Sequence, residues 1–160
     1  MYLCTSFIPI TLNTISLKAI YFDFKAITKA GLAVSVVFSS IAGFLLGVTD
    51  LASLSGVVLL KLIIGGYCMV GASNAFNQVI EKDLDALMDR TKNRPIPSGR
   101  MESNIALIIA VVLTILGIVL LYTINPKSAM FGAISIFLYT IVKTTLKTVK
   151  YISNFFGALP

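Results

Sequence analysis

The chain has 160 residues and a formal net charge of +6, and 57% of its residues are apolar while only 12% are charged. A soluble domain carries about 25% charged residues, so this composition, with a mean hydropathy of +0.93, excludes a water-soluble globule. The cations stand in short clusters between long apolar runs. That arrangement is typical of loops flanking membrane spans and speaks against nucleic acid as a partner.

Residues 1–29 are predicted to form an interfacial lead-in to the membrane. The first 16 residues lack the basic start and the small-residue cleavage site of a signal peptide. Between residues 16 and 29, Phe22 and Phe24 alternate with charged residues such as Lys25. This pattern predicts an amphipathic helix lying at the membrane surface.

Four apolar runs follow within residues 30–160, and each is close to the roughly 20 residues that cross the hydrocarbon core of a bilayer. They cover about 30–48, 56–80, 104–123 and 128–142, and the fourth is short but continuous with a basic end. The links between paired runs are short, as expected for antiparallel neighbours. The sequence therefore predicts an all-α, polytopic membrane helix bundle with about four transmembrane helices.

The basic residues indicate how this bundle is oriented. They precede the first span, crowd the loop of residues 81–102 and follow the fourth span, whereas the two opposite loops contain only Lys127. By the positive-inside rule, the N-terminus and the 81–102 loop are cytoplasmic. We therefore expect an integral membrane protein of the inner membrane, if the source is bacterial.

A stripe of oxygen-bearing side chains is predicted at the cytoplasmic end of the second span. If its helix continues to about Asp89, residues four apart are offset by about 40°, so Asn77, Glu81 and Asp85 form one stripe with Asn74 on the same face. Mg²⁺ binds such oxygens and completes its shell with water and substrate phosphates. The chain has no histidine, so any chemistry here must use carboxylates, amides, Arg and Lys. Asn77, Glu81 and Asp85 offer the hard oxygen ligands of a magnesium site.

The following loop supplies cations. Pro95 and Pro97 exclude a regular helix there, so Arg90, Lys92 and Arg94 are predicted to return toward the acidic stripe. Guanidinium groups match phosphate oxygens in geometry and charge. A bound metal with converging cations can hold a diphosphate and stabilise it as a leaving group.

A simpler interpretation stays open, in which this is a solvated membrane-surface loop whose charges pair with one another and with lipid headgroups. Three features favour a site instead. The stripe begins inside an apolar span, where amides and carboxylates are costly, Asn74 lies on the same face, and a rigid proline turn follows.

Residues 77–99 have the sequence NQVIEKDLDALMDRTKNRPIPSG. This segment resembles the first acidic motif of the UbiA-type intramembrane prenyltransferase superfamily. Gln78 and Glu81 stand where members with aromatic acceptors carry aspartate. The Glu-x-Asp-x-Asp-x-x-Met pattern instead resembles the branch that farnesylates heme. The resemblance extends over about residues 17–160, but only residues 77–99 are specific.

The resemblance implies a mechanism. The three predicted ligands would hold Mg²⁺ on the diphosphate of farnesyl diphosphate, and the loop cations Arg90, Lys92 and Arg94 would take up the charge of the departing pyrophosphate. A vinyl group of heme b would then attack the allylic cation, and water would complete the product. Tyr139 and Lys143 would bind the second phosphate or the acceptor, or else form an ordinary interfacial pair.

The resemblance also implies a fold of about nine membrane helices with a second acidic motif, and this chain has no Asp or Glu after Glu102. We therefore expect an N-terminal half that is truncated at residue 160, lacks its C-terminal half and is inactive alone. Three alternatives stay open: a prenyltransferase with an aromatic acceptor such as 4-hydroxybenzoate, a membrane transporter fragment, and a non-enzymatic assembly subunit.

Overall fold

The computed structural model describes residues 17–48 and 55–157, and the regular elements in this part of the chain are all helices. In chain order the helices are α1 (Leu17–Ile27), α2 (Ala30–Gly47), α3 (Gly56–Ile80), α4 (Lys82–Leu87), α5 (Ser103–Tyr122) and α6 (Pro126–Gly157). Helix α1 lies within the predicted lead-in segment. The predicted all-α class is confirmed.

Three helices are long and apolar enough to cross a membrane, namely α2, α3 and α5. Their bounds lie within about one residue of the first three predicted spans. The fourth predicted span lies inside α6, whose apolar portion, Pro126–Val142, is shorter. Helix α6 then continues without a break through the basic segment to Gly157. The described residues therefore form a polytopic helical bundle with three full-length candidate spans and one shorter apolar segment.

Local sequence explains where α6 begins. Pro126 is its first residue, a position that tolerates proline because the first N–H groups of a helix have no intrahelical partner. The side-chain oxygen of Asn125 accepts a hydrogen bond from the backbone N–H of Lys127 at 2.9 Å, as an N-cap residue does. The turn between α5 and α6 is thus specified by two adjacent residues.

Helix α3 is the centre of the bundle and packs against α2, α5 and α6. Small residues allow the close approach of α3 and α5, as is common between membrane helices. A Cβ atom added to Gly117 on α5 would lie 2.7 Å from the Sδ atom of Met69 and 3.2 Å from the backbone oxygen of Gly65 on α3. The crossing of these two helices therefore depends on glycine at position 117.

Helix α3 does not continue unbroken to about Asp89, which was the condition for the predicted stripe. Helix α3 ends at Ile80, Glu81 has φ −92° and ψ 5°, and the short α4 ends at Leu87. The i to i−4 hydrogen bonds nevertheless continue through the junction, from Glu81 N–H to Asn77 at 2.9 Å and from Asp85 N–H to Glu81 at 2.8 Å. The irregular residue therefore leaves the chain running onward without a loop between α3 and α4.

Candidate functional site at the C-terminal end of helix α3

The first element of the candidate site is a pair formed by Asn77 and Glu81. Asn77 is 4% exposed, and its Nδ2 donates a hydrogen bond to Oε2 of Glu81 at 2.9 Å. Its Oδ1 atom is buried and has no hydrogen-bond partner within the described part of the chain. A buried acceptor left without a donor costs about 1–3 kcal/mol. This oxygen is therefore suited to receive a cation or a donor from a ligand.

Asp85 forms a second pair, with Arg94. Its Oδ2 lies 2.5 Å from a terminal nitrogen of Arg94, and the two side chains are 6% and 25% exposed. The hydroxyl of Thr91 also donates to the backbone oxygen of Asp85 at 3.0 Å. The predicted three-residue stripe is thus organised as two pairs, one of amide and carboxylate and one of carboxylate and guanidinium.

The three predicted loop cations do not share one environment. Arg94 contacts the stripe through Asp85, whereas Lys92 pairs with Asp89 at 2.7 Å on the surface, and Arg90 is exposed. The predicted convergence on the stripe is therefore seen for Arg94, while Lys92 is held one turn away by a neighbouring carboxylate.

The proline-containing turn behaves as its sequence predicts. Pro95 and Ile96 are buried, and the N–H of Met101 donates to the oxygen of Pro95 at 2.9 Å. Gly99 has φ +74°, a conformation that side chains with a Cβ atom rarely adopt. The loop that carries the cations is consequently a fixed turn that leads directly into α5.

Asn74, which was predicted on the same face as the stripe, directs its amide nitrogen at the segment that joins α1 to α2. Its Nδ2 donates to the backbone oxygen of Thr28 at 3.1 Å. Gln78, one turn later on α3, donates from Nε2 to the oxygens of Ala26 at 3.1 Å and Ile27 at 2.9 Å. Both amides therefore bind the segment that joins α1 to α2. Sequence reasoning missed this role for Gln78, because the partners are backbone atoms about 50 residues away.

Helix α1 contacts the cationic loop at two points. Asp23 accepts a hydrogen bond from Nε of Arg100 at 3.1 Å, and Ile27 belongs to the same buried cluster as Ile96. Arg100 also donates to the backbone oxygen of Asn93 at 3.0 Å. The loop is therefore supported by α1 on one side and by Asp85 on the other.

Tyr139, a predicted acceptor-binding residue, lines a cavity of about 350 Å³ between α2, α3 and α6. Ser73, Asn74 and Ser135 add polar groups to its wall. This volume is near the lower end of the range for small-molecule sites, about 300–1,000 Å³. Lys143 lies on α6 one turn beyond Tyr139, but its side chain is outside the described residues.

The donor set fits a hard divalent cation in part. Asn77 Oδ1 is a buried oxygen that has no partner in the described part of the chain, and the Glu81 carboxylate lies against the same amide. No group of three His, Cys, Asp or Glu side chains in the described residues is arranged to hold a metal. Mg²⁺ requires only one or two carboxylates when waters and substrate phosphates supply the remaining ligands. The residues therefore fit a metal that arrives with a phosphorylated substrate.

Comparison with known proteins places residues 36–160 in the UbiA prenyltransferase family. A protoheme IX farnesyltransferase of Flavobacterium johnsoniae is 70% identical over 92% of this chain and 49% of its own length. The protein of the same name from Flavobacterium psychrophilum is 67% identical over 93% of this chain and 50% of its own length. One from Listeria welshimeri is 34% identical over 86% of this chain and 48% of its own length. No solved structure matches. The chain spans about half the length of the curated relatives it matches.

Proposed function

The chain belongs to the UbiA prenyltransferase family, and we propose that it forms the N-terminal half of an enzyme that transfers the farnesyl group of farnesyl diphosphate to heme b. The observation that carries this proposal is the buried Oδ1 of Asn77, which has no hydrogen-bond partner among the described residues and belongs to the amide that binds Glu81. Relatives that match over most of this chain are named protoheme IX farnesyltransferase. Heme as the acceptor rests on those names.

In the proposed enzyme, Asn77 Oδ1 and the Glu81 carboxylate are metal ligands, with Asp85 as a third. Mg²⁺, when bound there, would neutralise charge on the diphosphate and make it a better leaving group. Asp85 reaches this role only when its guanidinium partner is drawn away. Substrate phosphates and water complete the shell, which agrees with the small number of carboxylates on this helix.

Arg94 is proposed to bind the diphosphate directly. Its guanidinium already neutralises one buried carboxylate, so an incoming phosphate replaces one anionic partner with another. Arg90 and Lys92 are exposed on the same loop and are proposed to stabilise the pyrophosphate as it departs. Because Arg forms two parallel hydrogen bonds to phosphate oxygens, it can orient the diphosphate as well as attract it.

The acceptor side of the reaction is proposed to lie along α3 and α6, where Tyr139 lines the cavity. A cavity of about 350 Å³ is too small for a farnesyl chain together with a porphyrin, so a second half must supply the opposite wall. Enclosure by that half would keep water from the allylic cation. We therefore propose that these 160 residues are inactive alone. From the distribution of basic residues, we also propose that the 81–102 loop faces the cytoplasm.

The test uses the full-length reading frame, with the segment that corresponds to the other half of the relatives present. Glu81→Gln removes a proposed ligand without changing the side-chain shape, and Asp83→Asn removes an exposed carboxylate two residues away. Mn²⁺ binding measured by electron paramagnetic resonance should weaken about tenfold or more in Glu81→Gln and stay within about twofold in Asp83→Asn.

Product analysis completes the test. Wild-type protein supplied with farnesyl diphosphate, heme b and Mg²⁺ should give farnesylated, hydrated heme by mass spectrometry, and Glu81→Gln should not. Transfer to 4-hydroxybenzoate but not to heme would refute the acceptor and leave the diphosphate site in place. Equal Mn²⁺ binding by the two variants would refute the site.

A further inference from the structure

The carboxyl end of α1 is buried and its carbonyl groups need donors. The last carbonyls of any helix have no intrahelical partner, and here Ile27 and Thr28 are 0% exposed, so water cannot reach them. Lys29 then adopts a left-handed conformation with φ 48°, and α2 begins at the next residue. We call residues 26–29 the elbow.

Two side-chain amides of α3 supply these donors. Gln78 Nε2 donates to the oxygens of both Ala26 and Ile27, and Asn74 Nδ2 donates to the oxygen of Thr28. Three consecutive carbonyls are thus bound from two positions one turn apart on α3. Gln78 is 1% exposed, and its hydrogen bond to Ile27 is buried while the one to Ala26 is partly buried. The elbow is consequently held at a fixed position on α3.

Holding the elbow also places the cationic loop. Ile27 in the elbow and Ile96 in the loop share one buried cluster. One turn earlier on α1, Asp23 accepts a hydrogen bond from Arg100, which also binds the backbone of Asn93 next to Arg94. A shift of the elbow would therefore move the loop that carries Arg94.

We propose that Gln78 is a positioning residue, which holds the elbow of α1 so that the cationic loop is preformed for the diphosphate. The inference rests on the proposed function, in which that loop binds farnesyl diphosphate. The role requires an amide, because a carboxylate only accepts hydrogen bonds and cannot donate to a carbonyl oxygen. Gln78 is the immediate neighbour of Asn77, and its Oε1 is likewise buried without a hydrogen-bond partner among the described residues. Its nitrogen is directed at α1, and the positioning role rests on that nitrogen.

The experiment compares Gln78→Met and Gln78→Leu in the full-length protein. Both remove the donors without adding a charge, and Gln78→Met keeps nearly the original side-chain length. We expect each variant to raise the KM for farnesyl diphosphate by about tenfold, with kcat within about twofold of wild type. Mn²⁺ affinity should stay within about twofold in Gln78→Met. Amide hydrogen exchange should become faster in residues 17–29 and 90–101.

Gly117→Ala is the matched control, because it disturbs the α3–α5 crossing through Met69 and leaves the elbow intact. It should lower stability without changing the KM or the exchange rates near the elbow. If Gln78→Met does not fold, Asn74→Asp removes one of the three donor contacts and should raise the KM by about threefold.

An unchanged KM in the Gln78 variants, or an equal rise in Gly117→Ala, would overturn the positioning role. These outcomes are distinct from failure of the proposed function, which would appear as loss of farnesyl transfer and of Mn²⁺ binding in the wild type. If the proposed function fails, hydrogen exchange still tests the inference. Unchanged exchange rates near the elbow in Gln78→Met would contradict it.

Discussion

The ion pair between Asp85 and Arg94 allows a quantitative prediction about stability. The carboxylate is 6% exposed and the guanidinium 25% exposed, at a separation of 2.5 Å. Removing one partner of a buried pair costs about 3–5 kcal/mol, because the remaining charge keeps its desolvation penalty. Since Asp85 is the more deeply buried partner, Arg94→Gln should cost about 3 kcal/mol of unfolding free energy.

The reciprocal change should cost less. In Asp85→Asn the remaining guanidinium is one quarter exposed and can turn toward water, so we expect about 1.5 kcal/mol, the value of a hydrogen bond to a charged group. The double variant Asp85→Asn/Arg94→Gln leaves no unpaired charge. Its cost should therefore fall short of the sum of the single changes by about 1 kcal/mol or more.

The second ion pair near the loop provides the comparison. Asp23 and Arg100 are 15% and 51% exposed and lie 3.1 Å apart, and an exposed pair contributes only about 0–1 kcal/mol. A double-mutant cycle compares the wild type, the two single variants and the double variant of a pair. Unfolding free energies from sodium dodecyl sulfate titration in mixed micelles, followed by circular dichroism, would give the coupling energy of each pair in this way. Equal coupling energies in the two pairs, or an Asp85–Arg94 coupling below about 0.3 kcal/mol, would refute the reasoning from burial.

Three further predictions concern packing, orientation and the metal. Gly117→Ala should lower the unfolding free energy by about 1–3 kcal/mol through overpacking against Met69, whereas Gly43→Ala, whose new Cβ would meet nothing within 4 Å, should be neutral in the same titration. Single cysteines are placed at Ser98 or Ser55 in a background without native cysteines. The cysteine at Ser98 should react with a membrane-impermeant maleimide added on the cytoplasmic side, and the cysteine at Ser55 with the reagent added on the opposite side. The reverse pattern would contradict the predicted orientation. Removal of divalent cations with EDTA should weaken binding of a non-reactive farnesyl diphosphate analogue by about tenfold or more, and calorimetry showing no change would argue against a metal-linked diphosphate site.

The sequence predicts the membrane helices well, because the bilayer imposes a strong and local rule. An apolar run must be about 20 residues long to cross it, and α2, α3 and α5 lie close to the expected bounds. The end of α3 was harder to predict. Residues 81–89 contain good helix formers, but Glu81 leaves the helical dihedrals, and nothing in its immediate sequence signals that break.

The candidate site was predictable in its residue types and less so in its pairing. The spacing of Asn77, Glu81 and Asp85 predicted one stripe, and the structure arranges these residues in two pairs, Asn77 with Glu81 and Asp85 with Arg94. Which cation pairs with Asp85 depends on the path of a loop that proline and glycine bend, so Arg94 could not be distinguished from its neighbours by spacing alone. The function of Gln78 depends on the backbone of a distant helix, and hydrophobic patterns carry no information about such contacts.

The pairing in the structure also bears on how the proposed site could bind a highly charged ligand. The Asp85 carboxylate is neutralised by Arg94, so the protein does not keep an isolated charge buried in the absence of ligand. A metal–diphosphate complex offers a cation for Asp85 and an anion for Arg94, and the number of ion pairs is maintained when the partners exchange. The cost of separating the original pair is thereby offset within the complex. Neither the metal nor the diphosphate alone provides both new partners, so the two should bind cooperatively, and Arg94→Gln should reduce that cooperativity.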